Sequence, residues 1–186
     1  MTKQALFDSL ECCPVIAAVN DKVFDKAIHS PAEVIFLLGG NLMTIKDRIA
    51  AAHAANKYIF IHIDLAEGIG KDRAGVQYLA QAGADGVIST RANMIRIARD
   101  QGLITVQRFF ALDSQGVDSI EEMLETSNPD LIEIMPGVIG KIIQRFASAK
   151  APLIAGGLVQ TKAEVTQALN MGAFAVSTGM KELWYL

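Results

Sequence analysis

Short apolar runs alternate along the whole chain with stretches that are apolar on one helical face. The runs are Val15–Val19, Glu33–Leu38, Tyr58–Leu65, Gly86–Thr90, Leu103–Leu112, Leu131–Met135, Leu153–Ala155 and Phe174–Val176, and they predict eight strands. They are nearly continuous in Val, Ile and Leu, as a parallel sheet covered on both faces requires. Between them, sets such as Ile45/Ile49/Ala52, Val76/Leu79/Ala80 and Ile139/Ile142/Ile143/Phe146 recur at helical spacing. A short helix over residues 3–13 precedes the first strand, with Leu6, Leu10 and Cys13 on one side.

Helix starts and stops punctuate the same pattern. Asn20 or Asp21 caps a brief helix over Lys22–His29, and Thr44 caps the next. Ser119 with Glu122, and Thr161 with Glu164, make two capping boxes. Gly83, Gly102 and Gly172 stop helices, and another ends before Pro129.

Eight strand–helix units in one domain, residues 1–186, predict an α/β fold, a compact TIM-like (β/α)8 barrel. An open doubly wound sheet is the alternative, but the count is eight and no G-x-G-x-x-G follows the first strand. Only Met180–Leu186 remains after the last strand, so the eighth helix is truncated. Leu183, Trp184, Tyr185 and Leu186 are too apolar to stand in water, and must pack into the resulting gap or onto a partner subunit. A homo-oligomer is therefore expected. GADGVIST at 83–90 echoes GAFAVST at 172–178, which a half-barrel duplication or shared turn chemistry explains equally well.

Composition narrows the setting. The chain is 51% hydrophobic with a mean hydropathy of +0.30, yet its apolar runs are too short to span a membrane. The N-terminus lacks the charged-then-apolar order of a secretion signal, and the two cysteines, Cys12 and Cys13, are adjacent. The expected location is cytoplasmic. A net charge of −3 with no long run of one sign advertises no nucleic-acid partner.

Candidate chemistry gathers where the strands end, the face on which barrels of this kind carry their sites. Gly156-Gly157 follows the seventh strand and Ser177-Thr178-Gly179 ends the eighth. Two small-residue loops side by side offer convergent N–H donors and two hydroxyls, an arrangement suited to phosphate. His62, Asp64, Arg108 and Glu133 lie at other strand ends as candidate ligand-binding residues, with Glu67, Ser89, Thr90, Arg91, Gln107 and Asp113 nearby in sequence. His62 and Asp64 share strand parity and are expected to face the same way. Bland roles compete: Asp64 as a turn cap, Arg108 with Glu133 as an internal ion pair, His62 as a core histidine. No predicted strand carries a lysine for Schiff-base chemistry, and no Ser-His-Asp elbow or H-E-x-x-H is present. Asp64, Glu67, Asp113 and Glu133 could hold Mg²⁺, but their spacing does not single out a metal site. No cofactor and no catalytic residue is expected.

Longer stretches carry a resemblance. VIAAV (15–19), VIFLLGG (34–40), HIDLAEGIGKD (62–72), DGVISTR (85–91), LITVQRFFALDS (103–114), PDLIEIMPGVI (129–139), PLIAGGL (152–158), VSTG (176–179) and LW (183–184) run in order from end to end. In them the chain resembles the glycerol-uptake operon antiterminators, also called glycerol-3-phosphate-responsive antiterminators. The resemblance implies a barrel that binds glycerol 3-phosphate as effector and leader mRNA as target, preventing termination ahead of glycerol-metabolism genes. The residues themselves show no RNA footprint: aromatics are 6%, and the basic groups Arg91/Arg96/Arg99 and Lys141/Arg145/Lys150 are scattered. The competing class is a barrel enzyme on a small phosphorylated substrate, with acid–base work by His62, Asp64 or Glu133.

Overall fold

The computed structural model describes residues 2–186. Eight parallel strands close into a barrel in the order β1 to β8: β1 Val15–Val19, β2 Val34–Leu37, β3 Tyr58–His62, β4 Gly86–Ser89, β5 Ile104–Phe110, β6 Leu131–Met135, β7 Leu153–Gly156 and β8 Ala175–Thr178. Closure is made by β8 pairing with β1, Val176 beside Val15 and Thr178 beside Ala17. The expected (β/α)8 barrel is therefore the observed one, and every strand but the last is followed by a helix: α2 Phe24–Ile28, α3 Ile45–Ala54, α4 Arg73–Gln81, α5 Ala92–Asp100, α6 Ser114–Ser127, α7 Gly140–Phe146 and α8 Lys162–Asn170.

Two apolar layers hold it. Outward strand residues such as Ile35, Ile61, Val87 and Val176 pack beneath the helices, while inward ones such as Ile16, Phe36, Phe60, Val106 and Ile154 fill the barrel. α1, Lys3–Cys12, closes the bottom: Leu6 and Leu10 join the inner layer, and Phe7 meets Phe174 edge-on at 5.7 Å. The lower end of the barrel interior is thus plugged by apolar side chains, whereas its upper end, at the C-terminal strand ends, carries Arg108, Glu133 and Ser177.

Several boundaries differ from expectation. The Thr161–Glu164 box caps α8 in both directions, and Gly172 follows that helix at φ +102°. The Ser119–Glu122 box caps nothing: α6 starts earlier, where the Asp113 carboxylate accepts from Gly116 N at 2.7 Å, and Ser119 lies inside the helix. An Asx cap six residues upstream already satisfies the first-turn donors, so the later box has no free N–H to serve. α2 begins at Phe24 with Val23 at the cap position and no side-chain cap, because Asn20 Oδ1 is spent on Lys22 N in the preceding turn. Thr44 occupies the cap position of α3, but its hydroxyl donates back to Asn41 O. β3 stops at His62, and Ile63–Leu65 form a single 3₁₀ turn. No helix of the described residues is long and apolar enough to cross a membrane.

After β8 the chain makes one 3₁₀ turn, Lys181–Tyr185. Leu183 and Trp184 are buried against the chain's own barrel, and Trp184 Nε1–H donates to Thr178 O at 2.9 Å. The space beside β8 is thus filled by Leu183 and Trp184 of the same chain, while Tyr185 is 64% and Leu186 43% exposed. Trp184→Ala should cost about 3–5 kcal/mol of stability through lost burial and an opened cavity. Leu186→Ala should stay within about 0.5 kcal/mol. Urea unfolding of the two variants checks the contrast.

Candidate functional site

Side chains alternate along each strand, so the inner set of β3 runs Tyr58, Phe60, His62, that of β5 Val106, Arg108, and that of β6 Leu131, Glu133. The polar or side-chain-free inward positions near the top are therefore His62, Arg108, Glu133, Gly156 and Ser177. Register sets Arg108 beside Glu133 and Gly156 beside Ser177. Arg108 Nε–H donates to Glu133 Oε2 at 2.6 Å, and Ser177 Oγ–H donates to Glu133 Oε1 at 2.5 Å. The Arg108 and Glu133 side chains are only 7% and 1% exposed.

Gly156 makes this bridge possible. A Cβ at that position would stand 2.4 Å from Glu133 Oε1 and 2.8 Å from Ser177 Oγ. With no side chain on β7, the carboxylate of β6 reaches across it to the hydroxyl of β8. Gly157, at φ +72°, then turns the chain outward, where a Cβ would strike Met135 Cε at 2.6 Å.

A cavity of about 140 Å³ opens above the bridge, lined by Arg108, Glu133, Gly157, Ser177, Thr178 and Gly179, with Ala18, Leu38, Met135, Leu158 and Val159 completing its wall. At roughly 30 Å³ per water it holds about five waters' worth of ligand. Within the described residues the N–H groups of Gly157, Leu158 and Gly179 have no acceptor. The two hydroxyls are committed as donors: Ser177 to Glu133, and Thr178 Oγ1 to Val159 O at 2.7 Å. An anion here would meet backbone donors rather than the hydroxyl pair expected from sequence.

The other candidates separate. His62 lies in the same inner layer but does not line this cavity; it is buried, and among the described residues its Nδ1 has no partner. Burial, and then the positive charge of Arg108, push its pKa down to about 4, against the pull of Asp64. Its imidazole is neutral at pH 7 and can donate from one nitrogen and accept at the other. Asp64 sits on the 3₁₀ turn, not on the strand, so shared parity with His62 does not apply. Its carboxylate accepts from Ser89 Oγ, Thr90 N and Thr90 Oγ1 at 2.8–3.0 Å, holding the loop after β4, with Arg91 Nε at 3.6 Å. Gln107 faces outward, beneath the helices, with neither amide atom partnered. Asp113 is a helix cap and Glu133 an ion-pair member, so the four carboxylates considered for Mg²⁺ do not converge. Lys71 lies in the loop after β3, its ammonium held by the carbonyls of Ala66 and Ile69. Sequence reading missed the apolar rim around the mouth, where Met43 is 83%, Leu112 82% and Leu158 66% exposed. Loop residues carry no periodicity, so no sequence signal marks them as exposed.

The class is a closed (β/α)8 barrel with an apolar plug below and a small polar cavity at the C-terminal strand ends. Within that class, the family model for the glycerol-3-phosphate responsive antiterminators matches residues 15–184, and the chain belongs to that family. It is 40% identical over 176 residues to the Escherichia coli protein YgcP, covering 93% of this chain and 92% of that one. The glycerol uptake operon antiterminator regulatory protein of Listeria monocytogenes superposes with a TM-score of 0.86 at 32% identity, over 91% of this chain and 94% of that one. An antiterminator-related protein of Thermotoga maritima gives 0.83 at 30% identity, over 91% and 96%. Aldolase barrels at 11% identity share the fold alone.

Two outcomes follow for the site. Glu133→Gln leaves Arg108 buried without its counter-charge and should destabilise by about 3–5 kcal/mol in chemical denaturation. His62 is neutral when folded, whereas an unfolded imidazole titrates near 6.5. Its contribution to stability is present above about pH 6.5 and is lost as pH falls towards 4, by at most about 1.4 kcal/mol per unit. Urea midpoints between pH 7 and 4.5 should fall less steeply for His62→Asn than for the parent chain.

Proposed function

We propose that the chain is a regulator: it binds glycerol 3-phosphate in the mouth cavity and leader mRNA in response, preventing transcription termination. The observation that carries this reading is a family match spanning the whole barrel, set over a cavity of three-carbon-ester size with unpaired loop N–H groups. The phosphate is assigned to the backbone after β7 and β8, at Gly156, Gly157, Ser177, Thr178 and Gly179, where barrels of this class hold phosphate. The glycerol hydroxyls are assigned to the Glu133 carboxylate and the remaining guanidinium donors of Arg108. His62 supports this end from the neighbouring inner position, and Asp64 fixes the adjoining loop. A homo-oligomer belongs to the same reading, on the exposed Met43, Leu112 and Leu158 rim; of the tail Leu183–Leu186, the chain's own barrel already covers Leu183 and Trp184.

The effector is itself an anion, so it cannot recruit RNA by charge; it acts by favouring a chain conformation that binds RNA. The basic groups picked out in the sequence do not make an obvious patch. Arg145 is held by Glu121 and Asp118, and Arg99 Nη1 donates to Asn128 O.

Calorimetry with glycerol 3-phosphate should show affinity falling at least tenfold in Gly157→Val and in Gly179→Val. The second is the cleaner probe, because a Cβ at Gly179 meets only Ala18 O, at an ordinary 3.6 Å. Unchanged affinity in both removes the phosphate assignment. Filter binding of leader RNA should tighten about 5–150-fold with the effector present, and effector binding should tighten by the same factor with RNA. Overlaid curves, together with turnover of the ester, would replace the regulator by an enzyme. Sedimentation showing a monomer at micromolar concentration would remove the oligomer.

A further inference from the structure

The 3₁₀ turn after β8 carries a second polar feature, on the outside of the barrel. It packs against α2 and leaves a hollow of about 350 Å³ lined by Asp25, Lys26, His29, Lys181, Trp184 and Tyr185. Lys26 and Lys181 both line this hollow, and the positive charge of Lys26 lowers the Lys181 pKa. Two ammonium groups facing one hollow favour an anion between them. The carboxylate that lines the hollow is already paired: Asp25 is engaged by Arg48 Nη1 at 3.2 Å. His29 Nδ1–H donates to Asp25 O at 2.6 Å, which leaves Nε2 available as an acceptor. The Tyr185 ring, largely exposed, forms the remaining wall.

Paired ammonium groups, a hydroxyl acceptor and an exposed aromatic face are the parts a single-stranded RNA engages: phosphodiester, ribose 2′-hydroxyl and base. The turn is also tied to the mouth. Trp184 Nε1–H is bonded to Thr178 O, and Met180 N–H to Thr178 Oγ1 at 3.1 Å, so Thr178 is shared between the cavity wall and the turn.

We propose that the hollow between α2 and the 3₁₀ turn Lys181–Tyr185 is an RNA-contact site. Lys26 and Lys181 take a phosphodiester, Tyr185 stacks a base, and the Trp184–Thr178 bond links the site to effector occupancy at the mouth. This rests on the antiterminator reading and adds the surface and the coupling element. An acidic peptide would use the lysines but not the ring or the histidine acceptor.

Filter binding of a leader transcript tests it, with the parent chain, Lys26→Ala/Lys181→Ala, Tyr185→Ala and Trp184→Phe. The lysine pair variant should bind RNA at least tenfold more weakly and with a shallower salt dependence, by roughly one phosphate's worth of slope. Tyr185→Ala should weaken RNA without changing that slope. Both should bind glycerol 3-phosphate in calorimetry as the parent does when RNA is absent. Trp184→Phe keeps the aromatic bulk and loses the bond to Thr178; it should retain RNA binding but lose the tightening by effector. If the parent binds RNA and the lysine and tyrosine variants match it in affinity and slope, the location is overturned while the antiterminator reading stands. If the parent binds no RNA with or without effector, both fall. If inorganic phosphate shifts the NMR signals of the Lys26 and Lys181 side chains but the transcript does not, the hollow is a small-anion site and the proposal is wrong.

Discussion

The interior of the barrel depends on one buried carboxylate. Glu133 accepts from Arg108 on β5 and from Ser177 on β8, so a single residue of β6 joins three strands across the top of the inner core. Burying two charges is costly, and only short, well-aligned bonds to every available oxygen offset it. That requirement propagates outward. β7 must present no side chain at Gly156, β8 must present a hydroxyl at 177, and β5 and β6 must pair in a register that sets position 108 beside 133. The bridge is at once the roof of the apolar core and the floor of the cavity.

Below the bridge the molecule is dry. Phe36, Phe60, Val106 and Ile154 fill the barrel, and α1 seals its lower end with Leu6 and Leu10. Above it, the loops after β7 and β8 offer backbone donors at a small cavity, and a rim of apolar loop residues surrounds the mouth. The 3₁₀ turn after β8 is part of this plan: Trp184 is buried between α2 and β8, and its indole N–H is tied to Thr178, the last residue of β8. A perturbation at the mouth therefore has a short, bonded route to the outer surface of the turn.

The same barrel serves enzymes at low identity, so the fold alone does not choose between catalysis and regulation. The site leans away from Schiff-base chemistry in its details. The ammonium of Lys71 is held by backbone carbonyls in the loop after β3, and Lys57, just before β3, donates to Ser30 O and Ala32 O at the opposite end of the barrel. The charge that faces the cavity is an ion pair already satisfied within the chain.

The strand count, the parallel order and the barrel were legible in the sequence. Eight continuous apolar runs separated by helical spacing have few other solutions, and the Thr161–Glu164 box and Gly172 stop are local signals that tertiary structure did not override. The Arg108–Glu133 pairing was also legible as an alternative, because neighbouring strands brought the two charges together. What the sequence left open depended on direction and distance. Asp64 lost its strand parity because β3 ended two residues earlier, in a 3₁₀ turn that periodicity cannot detect. Ser119–Glu122 failed as a cap because Asp113 had already taken the first turn of α6. Gly156 read as a phosphate-loop glycine, and only the packed barrel showed that its missing side chain makes room for a carboxylate from the next strand. Lys26 and Lys181 stand far apart in the chain and carry no motif; closure of β8 onto β1 brought them together. Local patterns fix elements because they are written in neighbouring residues, whereas a site is made by residues that meet only after the sheet closes.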